Sequence, residues 1–196
     1  SYNGTSWTEV NDLNSDRGQL GGAGTTTAAL AFGGEGEPPS FTTQAITEKW
    51  DGSSWTEVND LNTARAAFGS FGTQTAALAA GGNPGNTTNT ESWNGTSWTE
   101  VNNLNTGSSK KGTGTQTLGL VFGGGPPSPS AVKAEEWDGT SWTEVTDLST
   151  GRMNACGFGT YRDAIVAGGT DPSPGVTAKT ESWNGTSWTE LNDMAT

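Results

Sequence analysis

The chain has 196 residues, of which 30 are glycine, and its 21 acidic against 9 basic side chains give a net charge of −12. Because such a surface repels phosphate backbones and anionic lipids, we expect no nucleic-acid partner and no membrane insertion. The chain has no histidine and one cysteine, which excludes Ser-His-Asp and Cys-His catalysis, histidine-ligated zinc and an intrachain disulfide. We therefore expect no cofactor and no enzymatic activity.

The first element along the chain is a nine-residue phrase that recurs five times, as in WDGSSWTEV from Trp50. Its Asn-Gly or Asp-Gly dipeptide predicts a hairpin with a two-residue type I′ turn. At Asp51-Gly52 this turn would place Glu48 opposite Trp55, whereas a four-residue loop would set Glu48 against Glu57, a like-charge pair. Stacked sheets would bury the tryptophans, which we expect to be structural: Trp7, Trp50, Trp55, Trp93, Trp98, Trp137, Trp142, Trp183 and Trp188.

The second element is a short apolar run that closes on a glycine pair, and it occurs four times, as in TAALAAGG. Such runs are typical of strands buried on both faces, and their small side chains suit strands that crowd toward an axis. Cys156 falls where the first strand of such a unit is expected, so we predict a buried small residue there. The paired glycines are expected to be structural: Gly33, Gly34, Gly81, Gly82, Gly123, Gly124, Gly168 and Gly169.

Together these elements predict four-stranded antiparallel units made of two hairpins each. An outer hairpin without a partner occupies residues 1–14, and four repeats follow at 15–62, 63–105, 106–149 and 150–196. The third repeat departs from the others, because it carries NTGSSKKGTG where they carry an arginine and is one residue shorter there.

The repeat resembles the kelch family over essentially the whole chain. One copy carries the family's pattern at Arg65, Gly72, Gly81, Gly82, Trp93, Asn94, Gly95, Trp98 and Leu104. The chain is also similar to kelch-like repeats in phage tail and virion proteins. The resemblance implies an all-β propeller of four-stranded blades, with four complete repeats and one extra outer hairpin. Since kelch propellers usually have more than four blades, the chain would be a segment of a larger ring; alternatively four blades close alone, or a partner chain completes the missing strands.

Length varies mainly between each glycine pair and the next tryptophan phrase. Loops on a rigid scaffold commonly carry binding residues, although drift in length alone would give the same variation. Because each of these loops joins a second strand to a third, all four should lie on one face. The candidate binding residues are Pro38, Pro39, Phe41, Asn83, Pro84, Asn86, Pro126, Pro127, Asp171, Pro172 and Pro174.

These observations favour a non-enzymatic structural or interaction module, extracellular or part of a virion, that binds a protein or another surface through its loops. The alternative is a carbohydrate-binding propeller that uses aromatic side chains of each blade. A glycosidase is the weakest hypothesis, because the glutamate of each WTE recurs in every repeat and gives no asymmetry between acid and base.

Overall fold

The computed structural model describes residues 1–125, 128–171 and 175–195, and over these the protein is all-β with one 3-10 helix at Ser128–Ala131. Four sheets of four antiparallel strands follow one another along the chain, which confirms the predicted sheet architecture. Each sheet lies within one predicted repeat. No helix in the described part of the chain is long and apolar enough to cross a membrane.

Within each sheet the strands pair in chain order, so every connection is a hairpin or a longer loop between neighbours. Sheet 1 contains β1 (Gly21–Thr25), β2 (Ala28–Phe32), β3 (Thr47–Trp50) and β4 (Trp55–Val58). Sheet 2 contains β5 (Gly69–Thr73), β6 (Ala76–Ala80), β7 (Thr90–Trp93) and β8 (Trp98–Val101). Sheet 3 contains β9 (Lys111–Thr115), β10 (Leu118–Phe122), β11 (Ala134–Trp137) and β12 (Trp142–Glu144). Sheet 4 contains β13 (Cys156–Gly159), β14 (Ala164–Ala167), β17 (Thr180–Trp183) and β18 (Trp188–Glu190), and its loop carries the short ribbon β15 (Thr170–Asp171) and β16 (Gly175–Val176).

The sheets pack side by side through their first strands, β1 against β5, β5 against β9 and β9 against β13. β5 and β9 each pack against a first strand on both sides. In contrast, β1 and β13 are largely exposed. The prediction that Cys156 is buried is therefore wrong: it lies on the predicted first strand of sheet 4, but among the described residues that strand packs against a first strand on one side only.

The core lies between successive sheets and repeats the same contacts. Between sheets 1 and 2, the second strand of one sheet presents Leu30 and Phe32 to the tryptophans of the next, and the rings of Phe32 and Trp98 are 4.8 Å apart. Between sheets 2 and 3, the Phe71 ring lies on the backbone of β10, where a Cβ at Gly119 would be 2.3 Å from it. Each buried phenyl ring contributes about 1.5–3 kcal/mol, so these contacts hold the sheets together.

Seven of the nine tryptophans are buried in this way. The other two are Trp55 on β4, which is half-buried, and Trp7 in the N-terminal hairpin, which is 80% exposed. Both depart from the expected burial because no complete sheet precedes sheet 1 among the described residues.

The predicted two-residue turn of the tryptophan hairpin is wrong. Trp50 pairs directly with Trp55, and Glu48 pairs with Glu57, so the loop has four residues. The Trp50 and Trp55 rings lie 5.2 Å apart, a contact worth about 0.5–1.5 kcal/mol beyond burial. The like-charge pair is tolerated because Arg17 binds Glu48 in the interior, whereas Glu57 faces solvent.

The chemistry of the first loop residue explains this register. The Asp51 carboxylate accepts hydrogen bonds from the backbone N–H groups of Ser53 and Ser54, both at 2.8 Å. Gly52 takes a φ of +99°, which glycine adopts without steric cost. Asn94 makes the same two bonds in sheet 2, so either Asp or Asn before Gly supports this loop.

Candidate functional site

The variable loops follow Gly34, Gly82, Gly124 and Gly169, each between the second strand of a sheet and the next long strand, and we call the described parts of these segments the loop-bearing edge. Three of these loops begin with an antiparallel bridge to the segment that precedes the first strand of the same sheet. The bridges join Gly18 to Glu35, Ala66 to Asn83 and Met153 to Thr170. The loop bases and the strand entrances are therefore fixed to each other.

The glycine pairs link neighbouring sheets at this edge. The N–H of Gly34 donates to the carbonyl of Arg65 in the next repeat, and Gly124 donates likewise to Arg152. The pairs have positive φ throughout, and a Cβ at Gly33 would lie 2.7 Å from the Arg65 carbonyl oxygen. Glycine is required there because the backbones of two repeats approach this closely.

In three of the repeats, the turn that leads into the first strand contains a residue with left-handed backbone conformation. Gln19, Ala67 and Asn154 occupy equivalent positions and have φ values of 51°, 54° and 53°. A non-glycine residue in this conformation costs about 1 kcal/mol, so the surrounding contacts must impose it. The N–H of Ala67 donates to the Gln19 carbonyl at 2.9 Å, which joins two of these turns directly.

The entrances of all four first strands meet around one polar recess of about 220 Å³, the central recess. Polar residues make up most of its lining, and the Asn83 side-chain amide donates to the Ser109 hydroxyl at 2.9 Å. Its size suits a side chain or a small polar group rather than a drug-sized ligand. It is lined by Gln19, Ala67, Asn83, Ser109, Lys110, Lys111, Gly125, Met153 and Asn154.

The predicted binding residues are distributed between this recess and the loop tips. Asn83 lines the recess, and Asn86 is half-buried nearby in the same loop, where Pro84 is exposed. Pro38, Pro39 and Phe41 form the exposed tip of the first loop, where Phe41 is 56% exposed. The backbone of Asp171 lies in β15. The predictions for Pro126, Pro127, Pro172 and Pro174 fall outside the described residues.

Beneath the loop-bearing edge, three repeats contain a fully buried ion pair. Arg65 contacts Glu91 at 2.6 Å, and the pairs Arg17–Glu48 and Arg152–Glu181 are equivalent. Burial lowers the pKa of Arg65, although the charge of Glu91 opposes that shift. Burial alone would raise the pKa of Glu48, but hydrogen bonds from Arg17 and Asn14 outweigh it and lower that pKa.

The glutamate of each pair also ties its sheet to the preceding repeat. Glu91 accepts hydrogen bonds from the backbone and side-chain amides of Asn62 and from the backbone of Thr63. These hydrogen bonds to a buried carboxylate fix the position of the arriving chain. The arginine that recurs in these three repeats therefore has a structural partner here.

The third repeat replaces this arginine with two residues. Ser108 takes the backbone position of the arginine, since its carbonyl accepts from Gly82 as the Arg65 carbonyl accepts from Gly34. Lys110 supplies the cation: its ammonium donates to the Lys133 carbonyl at 3.2 Å, the counterpart of the bond from Arg152 to Lys179. Burial lowers the pKa of Lys110 to about 8.

Sequence reasoning found the missing arginine but not its replacement. The only signal was the pair Lys110-Lys111, displaced from the arginine position by the one-residue deletion. The displacement has a second consequence, since the Ser108 hydroxyl is buried without a hydrogen-bond partner among the described residues.

The carboxylates considered for glycoside hydrolysis are dispersed. The WTE glutamates of the four sheets lie on separate fourth strands and are solvent-exposed. Within the described ranges, no group of three or more Asp, Glu and Cys side chains is placed to hold a metal ion. The feature that draws all four repeats together is the central recess.

No protein-family model matches this chain, and a search of the curated proteins found no match.

Proposed function

We propose that the chain forms all or part of a kelch-like β-propeller and acts as a non-enzymatic interaction module, with a protein partner bound at the loop-bearing edge. The successive packing of β1, β5, β9 and β13 supports the propeller arrangement, because the blades of a propeller contact one another through their innermost strands. The resemblance to phage tail repeats supports a place in a virion or outside the cell.

One observation carries the functional part of the proposal: the central recess is the place where side chains from every repeat meet. Asn83 and Lys111 offer hydrogen-bond donors there, and the exposed ring of Phe41 extends from a loop on the same edge. A rigid polar pocket with a projecting aromatic side chain is a common anatomy for protein recognition.

A carbohydrate-binding role through the repeated tryptophans is less well supported. Sugar recognition by stacking needs an accessible ring face, and seven of the nine rings are buried between or within sheets. Protein binding at the loop-bearing edge does not require exposed tryptophan rings.

Photo-crosslinking in the source cells or particles tests the proposal. p-Benzoylphenylalanine at Phe41 should form a crosslink to one partner protein, and the same group at Thr99, exposed on β8 away from the loops, should not. Lys111→Glu should abolish the crosslink because it reverses a charge in the recess, whereas the control Lys49→Glu on β3 should preserve it. Equal crosslinking from Thr99, or a Phe41 crosslink indifferent to Lys111→Glu, would overturn the proposal.

A further inference from the structure

The loops that close the tryptophan hairpins differ in one residue type. The residue before the loop glycine is an aspartate in two hairpins and an asparagine in three: Asp51, Asp138, Asn3, Asn94 and Asn184. In all five loops its side-chain oxygen accepts hydrogen bonds from the backbone N–H groups two and three positions further on. The loop therefore holds a carboxamide and a carboxylate in the same way.

The carboxamide of Asn94 is held in a way that favours nucleophilic addition to it. Its Oδ1 accepts from the backbone N–H groups of Thr96 and Ser97, both at 2.9 Å. Two N–H donors aimed at one oxygen stabilise the negative charge that develops there when a nucleophile adds to the carbonyl carbon, as in an oxyanion hole. The side chain of Asn184 has the same pair of bonds at the same lengths.

The nucleophile is the backbone nitrogen of the glycine that follows. The N–H of Gly95 donates to no acceptor among the described residues, whereas the N–H of Asn94 is bonded to the Ser97 carbonyl. Attack of the Gly95 nitrogen on Cγ of Asn94 closes a five-membered imide ring, and glycine has no side chain to obstruct it. In that ring, Oδ1 stays beside the α-carbon of Gly95, the side on which the N–H of Thr96 lies.

Water and the leaving group have free access to this loop. Asn94 is exposed, and its Nδ2 has no hydrogen-bond partner among the described residues, so no bond within the protein retains it. Gly95 and Thr96 line a groove of about 460 Å³ between the outer hairpins of sheets 1 and 2. Water in this groove can reach the imide and open it.

The product of that opening is a side chain that the fold already accommodates. Asp51 occupies the same loop position in sheet 1, and hydrogen bonds from the backbones of Ser54 and Ser53 lower its pKa to about 2. An ionised acceptor forms stronger hydrogen bonds with these donors than a neutral carboxamide does. Conversion of Asn94 to aspartate should therefore strengthen the loop.

We propose that the Asn-Gly loops are sites of spontaneous deamidation in the folded protein, which converts them to the Asp-Gly form of the other hairpins. The Gly95 nitrogen bonds to Cγ of Asn94, the bond from Cγ to Nδ2 breaks, and ammonia leaves with the proton of the Gly95 amide. Water then adds to Cγ, the bond from Cγ to the Gly95 nitrogen breaks, and that nitrogen regains a proton. Each conversion adds one negative charge to an outer hairpin.

Peptide mass spectrometry of the folded chain incubated at pH 7.5 measures the conversion. Asn94 and Asn184 should acquire the mass of the acid at least about 10-fold faster in the folded chain than in urea, because only the folded loop holds the two donors in place. The exposed Asn59, which precedes an aspartate instead of a glycine, is the internal control and should keep its amide. Conversion at Asn94 that is no faster in the folded chain than in urea overturns the proposal.

The Asp51→Asn variant tests the same chemistry at a hairpin whose natural residue is the expected product. The variant should fold, because three hairpins of this chain carry asparagine at that position. During incubation its peptide around residue 51 should regain the native mass and the chromatographic retention of the native peptide, and Tm should return to the native value. A variant that keeps its amide contradicts the proposal. So does a product that is mainly isoaspartate, since an extra backbone methylene does not reproduce the Asp-Gly loop.

Discussion

At the scale of single residues, Lys110 shows how one side chain substitutes for another from a shifted backbone position. Its ammonium reaches the Lys133 carbonyl, but unlike the arginines it forms no ion pair with the glutamate of its own sheet among the described residues. It is fully buried, and burial lowers its pKa from 10.5 to about 8 despite the opposing charges of Glu135, Asp147 and Glu144. A cation held this way costs stability while it remains protonated.

This cost gives a pH dependence of defined sign. Between pH 8 and 10.5 the unfolded chain keeps a proton on Lys110 that the folded chain has released, so the free energy of unfolding rises with pH. The full shift corresponds to about 3 kcal/mol. In urea unfolding, the native sequence should therefore have a larger free energy of unfolding at pH 10 than at pH 7.5. The Lys110→Met variant should lack this increase. Lys111→Met, the matched control at the adjacent position, should retain it; a gain that survives Lys110→Met would contradict the assignment.

At this scale the sequence does not predict the solvent exposure of a residue, nor where a one-residue deletion shifts the backbone. The absence of histidine is plain in the sequence, whereas the role of Lys110 depends on a deletion whose place only the backbone shows. Cys156 was expected to be buried because its repeat position is, yet exposure depends on whether a neighbouring sheet is present. Neither property is encoded within a single repeat.

At the scale of elements, the sheets are joined by hydrogen bonds as well as by apolar packing. The indole N–H of Trp98 donates to Thr47 of sheet 1 at 3.0 Å, and that of Trp142 donates to Thr90 of sheet 2 at 3.1 Å. The third sheet carries Ala134 at the position of these threonines, and the indole N–H of Trp188 is buried without a partner among the described residues. An unmet buried donor costs about 1–3 kcal/mol.

Ala134→Thr should repair this interface. The threonine hydroxyl would accept from Trp188, as the hydroxyls of Thr47 and Thr90 do at the equivalent positions of sheets 1 and 2, so we expect a gain of about 1 kcal/mol in the free energy of unfolding. Urea denaturation measures it. In a Trp188→Phe background, which has no indole donor, the gain should vanish. A similar gain in both backgrounds would show that the hydroxyl acts elsewhere.

The hairpin turn marks where element-level prediction failed. Opposed glutamates argued for a two-residue turn, but that argument treated the strands as an isolated pair. In the protein the charge of Glu48 is matched by Arg17, and two tryptophans gain a direct contact in the four-residue register. The four-stranded units themselves were predictable, because glycine pairs and tryptophan phrases recur at nearly fixed spacing.

At the scale of the whole molecule, sheets 2 and 3 have a neighbouring sheet on both sides, and sheets 1 and 4 have one on a single side among the described residues. Stability in a repeat array is a sum of unit and interface terms, so the sheets that lack a neighbour should open more easily. Sheet 4 is the clearest case: on β13, Phe158 is 54% exposed, whereas its counterpart Phe71 on β5 is 5% exposed. The exposure of β13 did not follow from the sequence, because a single repeat does not specify which sheets lie beside it.

Native-state hydrogen exchange tests this gradient. Amides of β13 and β14 should exchange at least about 10-fold faster than those of β5 and β6, a difference of ~1.4 kcal/mol in opening free energy. Cys156 should react with a thiol reagent in the folded protein, because it lies exposed on the same terminal strand. The internal control is sheet 3, where β9 and β10 have neighbours on both sides and should match sheet 2. Uniform protection across all four sheets, with an unreactive Cys156, would mean that the open end of sheet 4 is covered in solution.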